Sequence, residues 1–89
     1  MKEAAWRLYM LQCADESLYV GTTTDVDRRF KEHKAGQGGH YTRGRRPVKL
    51  LYQENHANRS TAQRREMEIK QWPRSKKLEL AKKRRRNGF

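Results

Sequence analysis

The sequence predicts a small α/β domain of the α+β kind: a three-stranded antiparallel or mixed sheet flanked by helices, in the order β-β-α-β-α-α. Three observations carry that expectation. Short aromatic and aliphatic runs with two-residue alternation fall at 6–13, 18–22 and 48–53. Cap residues open the intervening segments, and apolar side chains then recur at helical spacing. The chain has 89 residues, 34% apolar and 36% charged, which allows one domain with a small core.

Trp6 to Cys13 is apolar on both faces, with Trp6, Leu8 and Met10 on one and Tyr9, Leu11 and Cys13 on the other. Such a strand belongs in the middle of a sheet. Ala14-Asp15-Glu16-Ser17 is a turn, and Leu18 to Thr22 returns as the second strand of a hairpin. Thr24 is the expected N-cap of the first helix, with Asp25 and Asp27 in its first turn and a stop near Gly36. Its inward stripe is Val26, Arg29, Phe30 and His33. Residues 35–47 hold four of the six glycines, Pro47 and three arginines, the make-up of a mobile basic loop. Val48, Leu50 and Tyr52 alternate with Lys49 and Leu51 as a third strand. Ser60 and Gln63 form a capping box for a second helix, whose inward stripe is Ala62, Glu66 and Ile69. Pro73 suits the first turn of a third helix carrying Leu78, Leu80 and Ala81. Lys82 to Arg86 are five consecutive cations, so residues 1–81 are expected to form the domain and 82–89 a basic tail.

Lys and Arg number 22 against 10 Asp and Glu, a net charge of +12. Such charge on so short a chain points to a polyanionic partner, DNA first and RNA second. The basic residues are not paired with a long apolar helical face, and no apolar run approaches the ~18 residues of a membrane span, so no membrane partner is expected. The N-terminus lacks an apolar signal segment. One cysteine, Cys13, excludes an intrachain disulfide and a multi-thiolate zinc site, and the expected compartment is the cytoplasm. His33, His40, His56 and Cys13 fit no standard zinc spacing. Gly36-Gln37-Gly38-Gly39 follows a helix and lacks a phosphate-loop lysine, so it is no nucleotide loop. No heptad seam argues for a dimer, and a monomer is favoured.

Several ionisable residues interrupt the core pattern: Arg29 and His33 on the first helix and Glu66 on the second, with Tyr9 and Tyr19 on the hairpin. Each has an ordinary explanation. Arg29 can pair with Glu66, His33 can bond a backbone carbonyl, and strand tyrosines are common. Burying Arg and Glu without partners is costly, which makes the set worth explaining together. The loop residues His40, Tyr41, Arg43, Arg45 and Arg46 are suited to grip phosphates and stack bases.

Taken together these residues resemble the GIY-YIG endonuclease domain. Tyr19-Val20-Gly21 is similar to the second signature element, and Arg7-Leu8-Tyr9 keeps the tyrosine of the first. The stretch from Thr24 to His33 resembles the family's helix motif, with Arg29 four residues before His33. Glu66, within Arg65-Glu66-Met67-Glu68-Ile69-Lys70, matches the family's metal-binding glutamate. The likeness spans residues 5 to 80, and the Tyr41–Pro47 loop and the Ile69-Lys70 segment are similar to the small, stand-alone bacterial (YhbQ-like) members. Arg7 stands where the family has its first glycine, and the asparagine that larger members carry near the domain's end has no clear counterpart, since Asn87 lies in the basic tail.

The resemblance implies hydrolysis of a DNA phosphodiester with one divalent ion, Mg²⁺ or Mn²⁺, held by Glu66. It implies that Arg29 stabilises charge on the phosphate. Tyr9 or Tyr19 would orient or deprotonate water, its pKa lowered by the nearby cation and metal. His33 would relay a proton or hold a phosphate. Lys70 joins His40, Tyr41, Arg43, Arg45 and Arg46 as a candidate nucleic-acid contact. Structure-selective cutting in DNA repair or recombination is the expectation. A binding module of the same fold is the alternative, and a structural ribonucleoprotein component the third reading. For both tyrosines to serve one site they must share a sheet face. That requires an odd hairpin loop, expected as Asp15-Glu16-Ser17 with position 9 pairing near position 23. A two-residue turn pairing Cys13 with Leu18 would separate them.

Overall fold

The structure is a computed structural model and describes residues 5–39 and 44–86. The elements run β1 (Trp6–Cys13), β2 (Leu18–Thr23), α1 (Val26–Lys34), β3 (Pro47–His56), α2 (Arg59–Lys70) and α3 (Arg74–Arg86). The sheet order is β2-β1-β3 with both pairings antiparallel, so the two-faced strand β1 is central as its composition requires.

Each face of β1 feeds its own core. Leu8 and Met10 pack with Val20, Tyr52, Ile69 and Ala81 beneath α2 and α3. Tyr9 and Leu11 pack with Val26, Tyr19, Phe30 and Leu50 beneath α1. Leu8, Met10, Leu11 and Ile69 are completely buried. The charged chain therefore reaches stability by placing a few aliphatics on both sides of one strand.

The hairpin loop has three residues, but they are Ala14, Asp15 and Glu16. Cys13 pairs across it, donating its N–H to the Ser17 carbonyl at 2.9 Å. Glu16 takes the left-handed conformation, φ +67°, and returns its N–H to the Cys13 carbonyl. A type I turn followed by a left-handed residue is a common three-residue hairpin connection. Asp15 reinforces the loop by accepting from the Ser17 N–H at 3.0 Å. Position 9 consequently pairs with Gly21, not near position 23. The expected odd parity holds, and the register is two residues tighter. Tyr9 and Tyr19 do share a face.

Both helix caps differ from those expected from the sequence, one residue later for α1 and two residues earlier for α2. Asp25, not Thr24, caps α1 and accepts from Arg28 N–H at 3.1 Å. Thr23 instead holds the preceding turn by accepting from Asp25 N–H. Asn58, not the Ser60/Gln63 box, caps α2 and accepts from Thr61 N–H at 2.9 Å. In both helices a carboxylate or amide oxygen in an extended residue reaches the third amide inward. α1 closes with paired bonds, Gly36 N–H to the His33 carbonyl and Gln37 N–H to the Glu32 carbonyl, with Gly36 at φ +81°. Pro73 precedes α3, its carbonyl accepting from Lys76 and Lys77.

β3 is longer than its alternation suggests and carries a bulge. Met10 pairs with Tyr52 while Leu11 pairs with Leu50, leaving Leu51 extra. The extra residue puts Leu50 and Tyr52 on opposite faces, where simple alternation expects one. Beyond the bulge, Glu54 gathers Tyr52, His56 and Arg65: His56 Nε2 lies 2.6 Å and Arg65 Nε 3.1 Å from its carboxylate. Burial alone would raise the Glu54 carboxyl, but these hydrogen bonds and the Arg65 charge hold it below the ordinary range.

Glu16→Gly is expected to raise stability by about 0.5–1 kcal/mol, because glycine adopts the left-handed conformation without a Cβ penalty that exceeds its entropy cost. The urea midpoint reads the change.

Candidate active site

Four of the five candidate catalytic residues meet on the α1 face of the sheet. Tyr9 comes from β1, Tyr19 from β2, and Arg29 and His33 from one side of α1, a helical turn apart. The Tyr9 hydroxyl lies 2.8 Å from His33 Nε2. Ring centroids are 6.2 Å apart for Tyr9 and Tyr19, 5.8 Å for Tyr9 and His33, and 5.0 Å for Tyr19 and His33. Tyr9 and His33 are buried, whereas Tyr19 is half-buried.

Two glycines make this packing feasible. Gly21 faces Tyr9 across the ladder, and a Cβ there would stand 2.6 Å from the Tyr9 oxygen. The glycine of Tyr19-Val20-Gly21 is thus the seat of the Tyr9 phenol. A Cβ on Gly38 would stand 2.1 Å from His33 Nδ1, so the loop backbone closes directly over the imidazole. The Gly38 carbonyl also accepts from Arg29 Nη2 at 2.8 Å. Gly38 was hidden in sequence within a stretch that reads as a mobile loop. Its one signal is a second glycine two residues past the Gly36 helix stop.

Arg29 does not pair with Glu66. Its Nη1 donates to Glu32 at 2.9 Å, one turn along the same helix. Glu32 is therefore a site residue that the stripe analysis missed, although the i, i+3 spacing carried the information. Arg29 also interacts with the Tyr9 hydroxyl. Its position is fixed from two sides before any ligand arrives.

Burial raises the Tyr9 phenol well above the ordinary tyrosine range, the Tyr19 phenol adds to this, and Arg29 opposes without prevailing. The expected lowering of a tyrosine pKa by the nearby cation is not what this environment gives Tyr9, because desolvation outweighs one half-exposed guanidinium. Burial, then the Arg29 charge, pushes His33 down to about 4, with Glu32 opposing. At neutral pH the pair is a neutral phenol bonded to a neutral imidazole.

Glu66 lies at the free edge of β2. Its Oε1 is 3.4 Å from the Thr22 hydroxyl and its Oε2 is 2.7 Å from Lys70 Nζ. Thr22 pairs with Leu8 on the α2 face, so Glu66 approaches from the side opposite Tyr9. Lys70 connects the two, its Nζ lying 5.9 Å from the Tyr19 ring centroid. Arg45 is exposed and bound to Asp15 at the hairpin tip at 3.2 Å, and Arg46 is exposed beside it. His40, Tyr41 and Arg43 lie outside the described residues. Among the described residues no group of three His, Cys, Asp or Glu converges, and no helix is long and apolar enough to cross a membrane.

A phenol pair, an imidazole and a guanidinium gather on one face of a three-stranded sheet, with a carboxylate at its free edge. The chain belongs to the GIY-YIG family, a family of nuclease domains: the family's catalytic domain matches residues 5–79. A UPF0213 protein of Haloquadratum walsbyi is 55% identical over 74 residues, 83% of each chain. One from Staphylococcus aureus is 49% identical over 77 residues, 86% of this chain and 94% of its own. The solution NMR structure of a UPF0213 protein from Bacillus halodurans is 44% identical with a TM-score of 0.55, covering 88% of this chain and 83% of that one. That of a protein from E. faecalis is 37% identical with a TM-score of 0.62, covering 92% and 88%. These names state no activity. The relatives come from archaea as well as bacteria, a wider range than the bacterial group the resemblance suggested.

Gly21→Ala is expected to push the Tyr9 ring off its seat, destabilising the fold by about 1–3 kcal/mol and breaking the bond to His33. The His33 imidazole NMR signals and the urea midpoint report the two effects separately.

The His33 shift carries a pH signature. Its pKa falls from the ordinary 6.5 to about 4 on folding. The unfolded chain therefore takes up the proton first. The contribution of neutral His33 is full above the unfolded value, declines as pH falls through that window, and levels off below the folded value. Wild type should lose about 3 kcal/mol across the window relative to His33→Gln, read as urea midpoints against pH.

Proposed function

We propose that this protein is a divalent-metal-dependent endonuclease that hydrolyses phosphodiesters in DNA, recognising structure rather than sequence, in repair or recombination within the cytoplasm. The observation that carries the reading is the buried Tyr9–His33 hydrogen bond with Tyr19 and Arg29 beside it. A neutral imidazole at the end of a phenol pair is a proton acceptor that a mere binding surface does not need.

The different exposure of the two tyrosines supports different roles for them. Tyr19 is half-buried and is the one that meets the attacking water. Tyr9 is buried and interacts with the Tyr19 hydroxyl on one side and His33 on the other. The water gives its proton to the Tyr19 oxygen, Tyr19 passes its own to Tyr9, and Tyr9 passes its own to His33 Nε2. The imidazolium formed then sits near an anionic phosphate, which offsets the burial that disfavours it. Arg29 spends two nitrogens on Glu32 and Gly38 and has further N–H donors for phosphate oxygens. It faces the growing charge already oriented, so little reorganisation is needed.

Glu66 suits a Mg²⁺ or Mn²⁺ ion. It is a single hard carboxylate whose Oε2 already faces a positive charge, the Lys70 ammonium. Mg²⁺ bound through one carboxylate completes its shell with water and substrate oxygens. When bound, the ion would stabilise charge on the phosphate and the leaving oxygen. Without a cation the carboxylate would repel the nucleic acid. Lys70, Arg45 and Arg46, with His40, Tyr41 and Arg43 of the preceding loop, are the proposed backbone contacts.

Purified protein should cut labelled branched or nicked DNA faster than intact duplex in Mg²⁺ or Mn²⁺, and EDTA should stop it. Glu66→Ala and Arg29→Ala should each lower the rate by a factor of about a hundred or more. Rates that follow base sequence on matched duplexes would remove the structure selection. Binding without cutting on every substrate would replace the nuclease reading with that of a binding module.

A further inference from the structure

We propose that Lys70 holds the cation position on Glu66, so that a divalent ion must displace it and Lys70 sets how tightly that ion binds. The proposal rests on the nuclease reading only for the identity of the ion.

Tyr19 and Thr22 differ in parity along β2 and so point to opposite faces of the sheet. Glu66 meets Thr22 on one face, and the tyrosine cluster occupies the other. Lys70 spans the edge of β2: its Nζ is 2.7 Å from Glu66 Oε2 and 5.9 Å from the Tyr19 ring centroid. Among the described ion pairs, Lys70 is the partner of Glu66. A glutamate four residues before a lysine is the favourable helical orientation, so α2 alone suffices to keep the two together.

The chemistry of the pair is asymmetric. The Glu66 side chain is 20% exposed and the Lys70 side chain 49%. A lysine is a point charge on a flexible stem and can swing away, whereas the carboxylate is held by its helix and Thr22. An ion arriving at Oε2 breaks the pair and then repels an ammonium tethered within roughly 5 Å. Even at the dielectric of water, that repulsion corresponds to about a ten-fold loss of affinity, shrinking as salt rises. The displaced ammonium remains beside Tyr19, where a substrate phosphate is proposed to lie. One side chain would thus weaken the ion in the free protein and favour it once an anion takes up the lysine.

The test is Mn²⁺ binding without nucleic acid, followed as loss of the free-ion EPR signal at low salt. Lys70→Gln should bind Mn²⁺ about ten-fold tighter than wild type. Lys70→Arg should stay near wild type, because the charge is kept. Lys82→Gln, which removes an exposed cation elsewhere, should change affinity far less. Adding Glu66→Gln to Lys70→Gln should abolish the gain. The proposal is overturned if Lys70→Gln binds no tighter than wild type, if Lys82→Gln tightens binding equally, or if the gain survives Glu66→Gln. Tightening without cleavage on any DNA would sustain this role and remove the nuclease reading. Cleavage without tightening would do the reverse.

Discussion

The pairing of Tyr9 with Gly21 is the constraint on which the site depends. A three-residue loop closed by left-handed Glu16 fixes that register, and its odd length puts Tyr9 and Tyr19 on one face. The missing side chain at Gly21 then admits the phenol, which reaches His33 on α1. A slip of one residue would send one tyrosine to the opposite core. The strand that anchors both cores of the domain is therefore also the strand that aims the Tyr9 phenol at His33.

Burial decides the chemistry of that group. Tyr9 and His33 are both held neutral because desolvation penalises phenolate and imidazolium alike. Arg29 acts against the first shift and with the second, so the guanidinium and the dry environment jointly keep the imidazole free of a proton. The glutamate stands apart, around the free edge of β2, where solvent and a large anion have access. The neutral Tyr9–His33 pair is thus dry and enclosed on one face, while the carboxylate sits partly exposed at the edge.

The opposite edge shows that similar residues need not make a similar site. Glu54, His56, Arg65 and Tyr52 form a denser hydrogen-bond network than the one around Tyr9. There the carboxylate takes bonds from three partners at once, and Arg65 is further tied to Glu68 and stacked near Trp72. Every strong group in that network is engaged by a neighbour from β3 or α2, which fastens the helix to the sheet. The Tyr9 cluster keeps a half-exposed phenol and a half-exposed guanidinium at its rim instead.

The sequence by itself determined the α+β class, the element order, the central place of the first strand and the family, because alternation, helical spacing and motif residues are local properties of the chain. It also supplied Arg29 and His33, which interrupt an otherwise apolar helical stripe, and the two hairpin tyrosines, but not Glu32 or Gly38. Only the tertiary structure decided the pairing register and the bulge at Leu51, which depend on how one strand meets another. It alone moved Arg29 from Glu66 to Glu32, because the two helices cover opposite faces of the sheet. It gave Gly38 its place over His33, a contact set by loop path that composition does not encode. It also reversed the direction of the Tyr9 pKa, since the balance between one guanidinium and the loss of water depends on depth, and depth belongs to the folded chain.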